Sequence, residues 1–232
     1  MNRLIDLSTA ILAKNDDLAE ALRRDLLAGG TVAVNLLSSP GSGKTALLEL
    51  LLARALARDV SVAALTGDVA TENDARRLAR SGAPVRQVVT GGLCHLEADL
   101  IRDHLTGWLP ADTRLLFIEN VGNLVCPASY DLGDSVRVVL ASVTEGEDKP
   151  VKYPAAYHWA DVVVMTKVDL AQACDFDESA FLEAVHAIKP SLEVIRTSAK
   201  TGEGIDELLT RVIAAAGEGS VVPAGVGATG PC

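Results

Sequence analysis

Between positions 38 and 45 the chain reads Ser38-Ser39-Pro40-Gly41-Ser42-Gly43-Lys44-Thr45, and Ala46 then opens a leucine-rich stretch. Glycines in such a loop let backbone N–H groups curl around phosphate oxygens, and the N-terminus of the following helix adds a dipole that favours an anion. In that setting Lys44 reaches the β- and γ-phosphates and the Thr45 hydroxyl ligates Mg²⁺. The first position of the usual P-loop pattern is Ser38 in place of Gly, a departure that leaves the later glycines and the Lys-Thr pair intact. Two carboxylates follow apolar runs, in Gly67-Asp68 and in Glu119-Asn120-Val121-Gly122. Asp68 or Glu119 is expected to hold Mg²⁺, directly or through water; the bland reading of either is a helix-capping or loop acid. Gly122 offers a backbone N–H to a γ-phosphate, which is how a switch loop is ordered and released. Lys44, Asp68, Glu119 and Gly122 are thus the expected hydrolytic group.

Base choice is read further on, in Thr166-Lys167-Val168-Asp169 and Ser198-Ala199-Lys200. An Asp carboxylate accepts from both N1–H and the exocyclic amine of guanine, and adenine presents no such donor pair. Lys167 is expected along the base plane, and the Ala199 N–H within reach of the guanine carbonyl, with Ser198 and Lys200 flanking it. The expected nucleotide is GTP, with GDP as its product.

A thiol and imidazole set lies in two other segments, Thr90-Gly91-Gly92-Leu93-Cys94-His95 and Asn123-Leu124-Val125-Cys126-Pro127. Two thiolates and an imidazole suit Zn²⁺ or Ni²⁺. Without a Cys-x-x-Cys pair the spacing is unspecific, and a buried structural cysteine is the commoner fate of such residues. Position favours the metal reading, because Cys126 stands four residues after Gly122 on the segment a γ-phosphate would control. Cys174 and Cys232 read as bystanders.

These residues need a scaffold that brings loops to one edge. Short β-branched runs alternate with helical patterns, the form of repeated β-α units around a parallel sheet. Strands are expected at 31–37, 60–65, 84–89, 114–118, 136–142, 161–165 and 193–197, several as continuous apolar runs of the kind buried on both faces. Helices are expected at 46–58, 71–80, 93–105, 178–188 and 205–215, preceded by an amphipathic helix bearing Leu18, Leu22 and Leu26, capped by Ser8 and ended by Gly29-Gly30. The fold class is therefore α/β, a P-loop NTPase with a mainly parallel sheet of about seven strands covered by helices on both faces. Residues 1–30 would form a helix packed on the flank, 31–216 the G domain with the metal site, and 217–232 a Gly- and Pro-containing flexible tail.

A chain of 232 residues fits one such domain. Apolar residues make up 49% and aromatics 3%, so the core must be aliphatic. With 21 Lys plus Arg against 31 Asp plus Glu, a net charge of −10, a broad grip on nucleic acid or anionic lipid is excluded. Charges interrupt every hydrophobic run short of the roughly 20 residues a membrane span needs, and no signal-peptide pattern opens the chain. A cytoplasmic protein is expected.

The blocks at 11–15, 35–45, 67–68, 73–74, 90–91, 94–96, 119–128 and 167–170 together resemble the HypB family, nickel-incorporation GTPases of hydrogenase maturation within the SIMIBI class of P-loop NTPases. The run from Glu119 through Val121, Asn123, Cys126 and Pro127 to Ala128 is the most specific of them. The resemblance implies a slow GTPase that dimerises with GTP, binds Ni²⁺ or Zn²⁺ through Cys94, His95 and Cys126, and helps load nickel into a [NiFe]-hydrogenase large-subunit precursor beside a HypA-like nickel-binding partner. The opening residues carry neither a Cys-rich nickel motif nor a His-rich stretch, so the G-domain site is expected to handle the metal. The rival readings are a urease-type nickel GTPase, whose Cys-Pro-His motif is here Cys126-Pro127-Ala128; a partitioning or transport ATPase, which places a second lysine where Ser38-Ser39 stand; and a metal-binding module with a vestigial P-loop, against which Lys44-Thr45 argues.

Overall fold

The computed structural model describes residues 2–68 and 73–218, with side chains throughout except at 2–9, 68 and 216–218. Its strands are β1 (Val32–Ser38), β2 (Val62–Asp68), β3 (Val85–Val89), β4 (Leu115–Glu119), β5 (Val136–Ser142), β6 (Val162–Thr166) and β7 (Glu193–Arg196). They pair in the order β3-β2-β4-β1-β5-β6-β7, every pair parallel. The helices are α1 (Asn2–Ala28), α2 (Lys44–Leu56), α3 (Asn73–Leu78), α4 (Ala98–Leu105), α5 (Lys149–Lys152), α6 (Pro154–His158), α7 (Glu178–Ile188) and α8 (Ile205–Glu218).

Alternation along the central strands sorts the core into two layers. Val34, Leu36, Phe117 and Val138 pack with Leu48 and Leu52 of α2 and Leu208 of α8. On the other face Ala33, Leu65 and Ile118 meet Leu22 and Leu26 of α1 and Ile101 of α4. Leu37, Val139 and Met165 continue that face against Tyr157 of α6 and Phe181 of α7. Strand β1, in the middle, delivers the phosphate loop at its carboxyl end, with the ends of β4 and β5 on either side. Ligands of open α/β sheets bind at that edge, where successive crossovers diverge.

All seven expected strands are present, most displaced by one or two residues. Helix α7 has its expected bounds; α2 is shifted two residues toward the N-terminus, the expected start of α3 at 71 lies outside the described residues, α5 and α6 have no counterpart in the sequence expectation, and three further helices differ. Helix α1 begins at Asn2, ahead of the expected Ser8 cap. Helix α4 begins at Ala98 and not at Leu93, so Cys94 and His95 sit in a loop. Helix α8 runs to Glu218, past the expected start of a tail, and residues 219–232 lie outside the described residues together with Cys232.

Candidate functional site

The phosphate loop is held from outside. Gly41 and Gly43 adopt φ of 78° and 92°, values only glycine takes at no steric cost, and Gly43 caps α2. The carbonyl oxygens of Ser39, Gly41 and Ser42 accept from Ser42 Oγ (2.9 Å), Lys167 Nζ (2.7 Å) and Thr166 Oγ1 (2.6 Å). A loop whose carbonyls are tied to side chains in this way keeps its N–H groups for an anion. Its cavity, about 290 Å³, is lined by the loop, by Lys44 and Thr45, and by Glu119 to Gly122. Lys44 Nζ donates to Ser38 Oγ at 3.3 Å, so the serine at the unusual first position touches the lysine.

Glu119 ends β4 in register with Leu36 and Thr66 and is 3% exposed. Its carboxylate accepts from Thr45 Oγ1 at 2.6 Å and Thr66 Oγ1 at 2.9 Å. Burial pushes its carboxyl above the ordinary range; the Lys44 charge and both hydroxyls oppose that shift, and Asp74 adds to it. A buried carboxylate in contact with a hydroxyl is a set of hard oxygen donors that fits Mg²⁺. The side chain of Asp68, the other expected magnesium acid, lies outside the described residues.

The segment after Glu119 is pressed onto the loop. A Cβ on Gly122 would stand 3.2 Å from Pro40 Cα, tighter than ordinary van der Waals contact, so a side chain here would press the segment off the loop by a few tenths of an ångström. Asn120 N donates to Leu36 O at 3.1 Å, and Asn123 forms an antiparallel bridge to Ser38.

A second cavity, about 360 Å³, adjoins the first and is lined by Lys167, Asp169, Ala199 and Lys200 among others. Asp169 Oδ1 accepts from Ser198 Oγ at 2.6 Å, and Oδ2 lies 4.0 Å from Lys200 Nζ. The carboxylate is thus aimed by its serine neighbour before a base arrives. Lys167 takes a left-handed φ of 58°, a strained conformation for a side-chain-bearing residue and one that recurs at functional sites.

Cys94, His95 and Cys126 converge: one ligand atom from each lies within 4.8 Å of the others. His95 Nδ1 is 3.7 Å from Cys94 Sγ, and Nε2 is 3.2 Å from Glu97 Oε1. That geometry leaves Nδ1 for a metal and Nε2–H for the carboxylate, the usual way a ligating imidazole is oriented. Tyr130 stacks on the imidazole at 3.9 Å between ring centroids. The Cys94 thiol is pushed above its ordinary value, chiefly by its hydrogen bond with Cys126. Asn123 spans the two centres: its backbone bridges Ser38, and its Nδ2 donates to Cys94 O at 3.4 Å. Cys174 is exposed and apart from this group.

A family profile described as CobW/HypB/UreG, nucleotide-binding domain, matches residues 32–196. The hydrogenase maturation factor HypB of Azotobacter vinelandii is 44% identical over 208 residues, 90% of this chain and 68% of that protein. The chain belongs to the HypB family. A hydrogenase/urease maturation factor HypB of Helicobacter hepaticus is 42% identical over 205 residues, 87% of this chain and 84% of that protein. The crystal structure of HypB from Helicobacter pylori, a complex with nickel, superposes with a TM-score of 0.84 at 37% identity, covering 92% of this chain and all of that one. The P-loop architecture expected from sequence with a mainly parallel sheet, and found with every strand pair parallel, is thus the HypB architecture.

Four residues around the site escaped sequence reading. Glu97 and Tyr130 orient His95, Asn123 joins the two centres, and Lys149 Nζ donates to Ser39 Oγ at 3.2 Å across 110 positions. Glu97 had a local signal, two residues after the histidine. The others are joined only by the fold.

Proposed function

We propose that this chain is a slow GTPase that carries nickel or zinc and hands nickel on during [NiFe]-hydrogenase maturation. The observation that carries the reading is the Asn123 link, a direct connection from the phosphate loop to the Cys94-His95-Cys126 cluster. Asp169, steadied by Ser198, pairs with guanine N1–H and the amine; the Ala199 N–H meets the carbonyl, and Lys167 underlies the base. The loop from Pro40 to Ala46 wraps the phosphates, and Lys44 neutralises the β- and γ-oxygens. Mg²⁺, when bound by Thr45 with Glu119 or Asp68, supplies charge neutralisation at the transferring phosphoryl group. Gly122 offers its N–H to the γ-phosphate, which fixes the 120–126 segment against the loop and so fixes Cys126 relative to Cys94.

Three ligands from one chain leave a four-coordinate metal incomplete, which suits cargo that must leave. GTP-dependent pairing of two copies across this edge supplies ligands from both, and loss of the γ-phosphate relaxes the segment and releases the metal. A HypA-like nickel-binding protein and a hydrogenase large-subunit precursor are the partners this reading requires. In a strain lacking the gene, hydrogenase activity should fall and recover on adding excess nickel, while Lys44→Ala should not complement. Urease activity belongs in the same assay, since the Helicobacter hepaticus relative carries both maturation roles in its name. Unchanged hydrogenase activity in the deletion would remove the reading.

A further inference from the structure

The phosphate and base cavities share four lining residues: Ser42, Gly43, Ala46 and Arg77. The first three belong to the phosphate loop and the start of α2. Arg77 belongs to α3, more than thirty positions away in sequence, and reaches the junction only through the packing of α3 on α2. A nucleotide with its β- and γ-phosphates at Lys44 and its base at Asp169 must cross this junction with its α-phosphate and ribose. Among the described residues lining the phosphate cavity the cations are Lys44 and Arg77, against the acids Asp74 and Glu119. Lys44 lies in the motif that holds the terminal phosphates, and the base cavity's own cations, Lys167 and Lys200, flank Asp169, so Arg77 is the one cation among the described residues that lines both cavities.

Arg77 also pairs outside both cavities. Its Nε donates to Glu49 Oε2 at 2.7 Å, with the arginine side chain 44% exposed and the glutamate 26%. Glu49 lines neither cavity. An ion pair this open to solvent is weak, because water screens both charges. A phosphate offers the planar guanidinium two parallel charge-assisted hydrogen bonds in a less hydrated cleft, a stronger interaction.

We propose that Arg77 is a nucleotide-binding residue that closes on the α-phosphate, and that Glu49 holds it aside while the site is free. This rests on reading the two cavities as one guanine-nucleotide site. Because the contact is to the α-phosphate, Arg77 serves GTP, GDP and GMP alike, in contrast to a residue that senses the γ-phosphate. Removing Glu49's charge frees Arg77, so the same pair predicts opposite effects from its two members.

The test is binding of a fluorescent GDP to the full chain, with GTP, GDP and GMP as competitors, for wild type, Arg77→Ala, Arg77→Lys and Glu49→Gln. Arg77→Ala should weaken all three nucleotides by the same factor, about tenfold, and Arg77→Lys should recover part of it, since lysine brings the charge without the fork. Glu49→Gln should tighten binding about two- to threefold. Equal affinities of Arg77→Ala and wild type overturn the proposal. So does a loss confined to GTP, which puts Arg77 at the γ-phosphate, and so does weakening by Glu49→Gln, which makes the pair a brace between helices. Wild-type protein that binds no GDP overturns the guanine reading beneath it, a separate outcome from normal wild-type binding with an inert Arg77.

Discussion

The nucleotide half and the metal half of the site are built to different standards of rigidity. Glu119, Thr66 and Ser38 are strand-end residues, buried and cross-bonded, and the phosphate loop has its carbonyls tied to β6 and to the residue after it. Cys94 is exposed and lies in a loop, Cys126 is half-buried and opens a short 3-10 turn, and each follows an exposed apolar residue, Leu93 or Val125. A preorganised site binds without much reorganisation; one whose ligands come from a loop and a turn can be assembled and dismantled. Under the proposed function, nucleotide state is the controller and metal geometry the controlled variable, with Asn123 between them.

The harshest way to break this contrast is to disable the rigid half. Lys44→Ala should abolish measurable GTP and GDP binding in calorimetry, and with it any nucleotide effect on metal, while far-UV circular dichroism stays that of wild type. Asp169→Asn should cost about 2 to 4 kcal/mol of GTP affinity, because a donor then faces the guanine N1–H and amine. Xanthine nucleotides should be partly restored. Equal affinity of wild type for ATP and GTP would dismiss this assignment of the base.

On the flexible half, Cys126→Ala should abolish the nickel-thiolate absorbance response and leave GTP affinity within about twofold of wild type, as expected if the two centres are separable. A parallel loss of GTP binding would show the metal loops to be part of the nucleotide scaffold. The smallest effect concerns Glu119 in nucleotide-free protein. Its folded carboxyl titrates above the unfolded value of 4.5, so the folded state binds the proton more tightly, and stability is lost as pH rises through the folded value. Glu119→Gln should therefore raise the melting temperature of the protein without nucleotide at pH 7 to 8 above that of wild type. The gain should vanish toward pH 4; a gain independent of pH would assign it to packing.

The same contrast governs what sequence alone discloses. Strands buried on both faces, such as β1, β4 and β6, write themselves as apolar runs, the edge strands β3 and β7 show in shorter β-branched runs, and loops that must wrap a phosphate write themselves as glycines at fixed offsets, so these and the residues from Pro40 to Thr45 were legible. Non-local contacts were not. Helix α4 starts at Ala98 because Ala98 N donates to Asn15 Oδ1 at 2.9 Å, a cap supplied from α1 across 83 positions, and no window around residue 93 contains it. Helix α2 starts two residues earlier than expected because Gly43, not a side chain, caps it. The convergence of Cys94 and His95 with Cys126 could be anticipated from strand ends sharing one edge. The Asn123 bridge that makes the convergence useful could not.

That bridge is the central claim, and a nickel titration by thiolate absorbance tests it directly, with wild type and Asn123→Ala each loaded with GDP or a non-hydrolysable GTP analogue. In wild type the analogue should tighten nickel about tenfold and shift the protein toward dimer by light scattering. In Asn123→Ala both nucleotides should still bind, and the ratio between the two nickel affinities should collapse toward one. Equal nickel affinity in both states of the wild type, or a full tenfold ratio surviving in Asn123→Ala, would contradict the account.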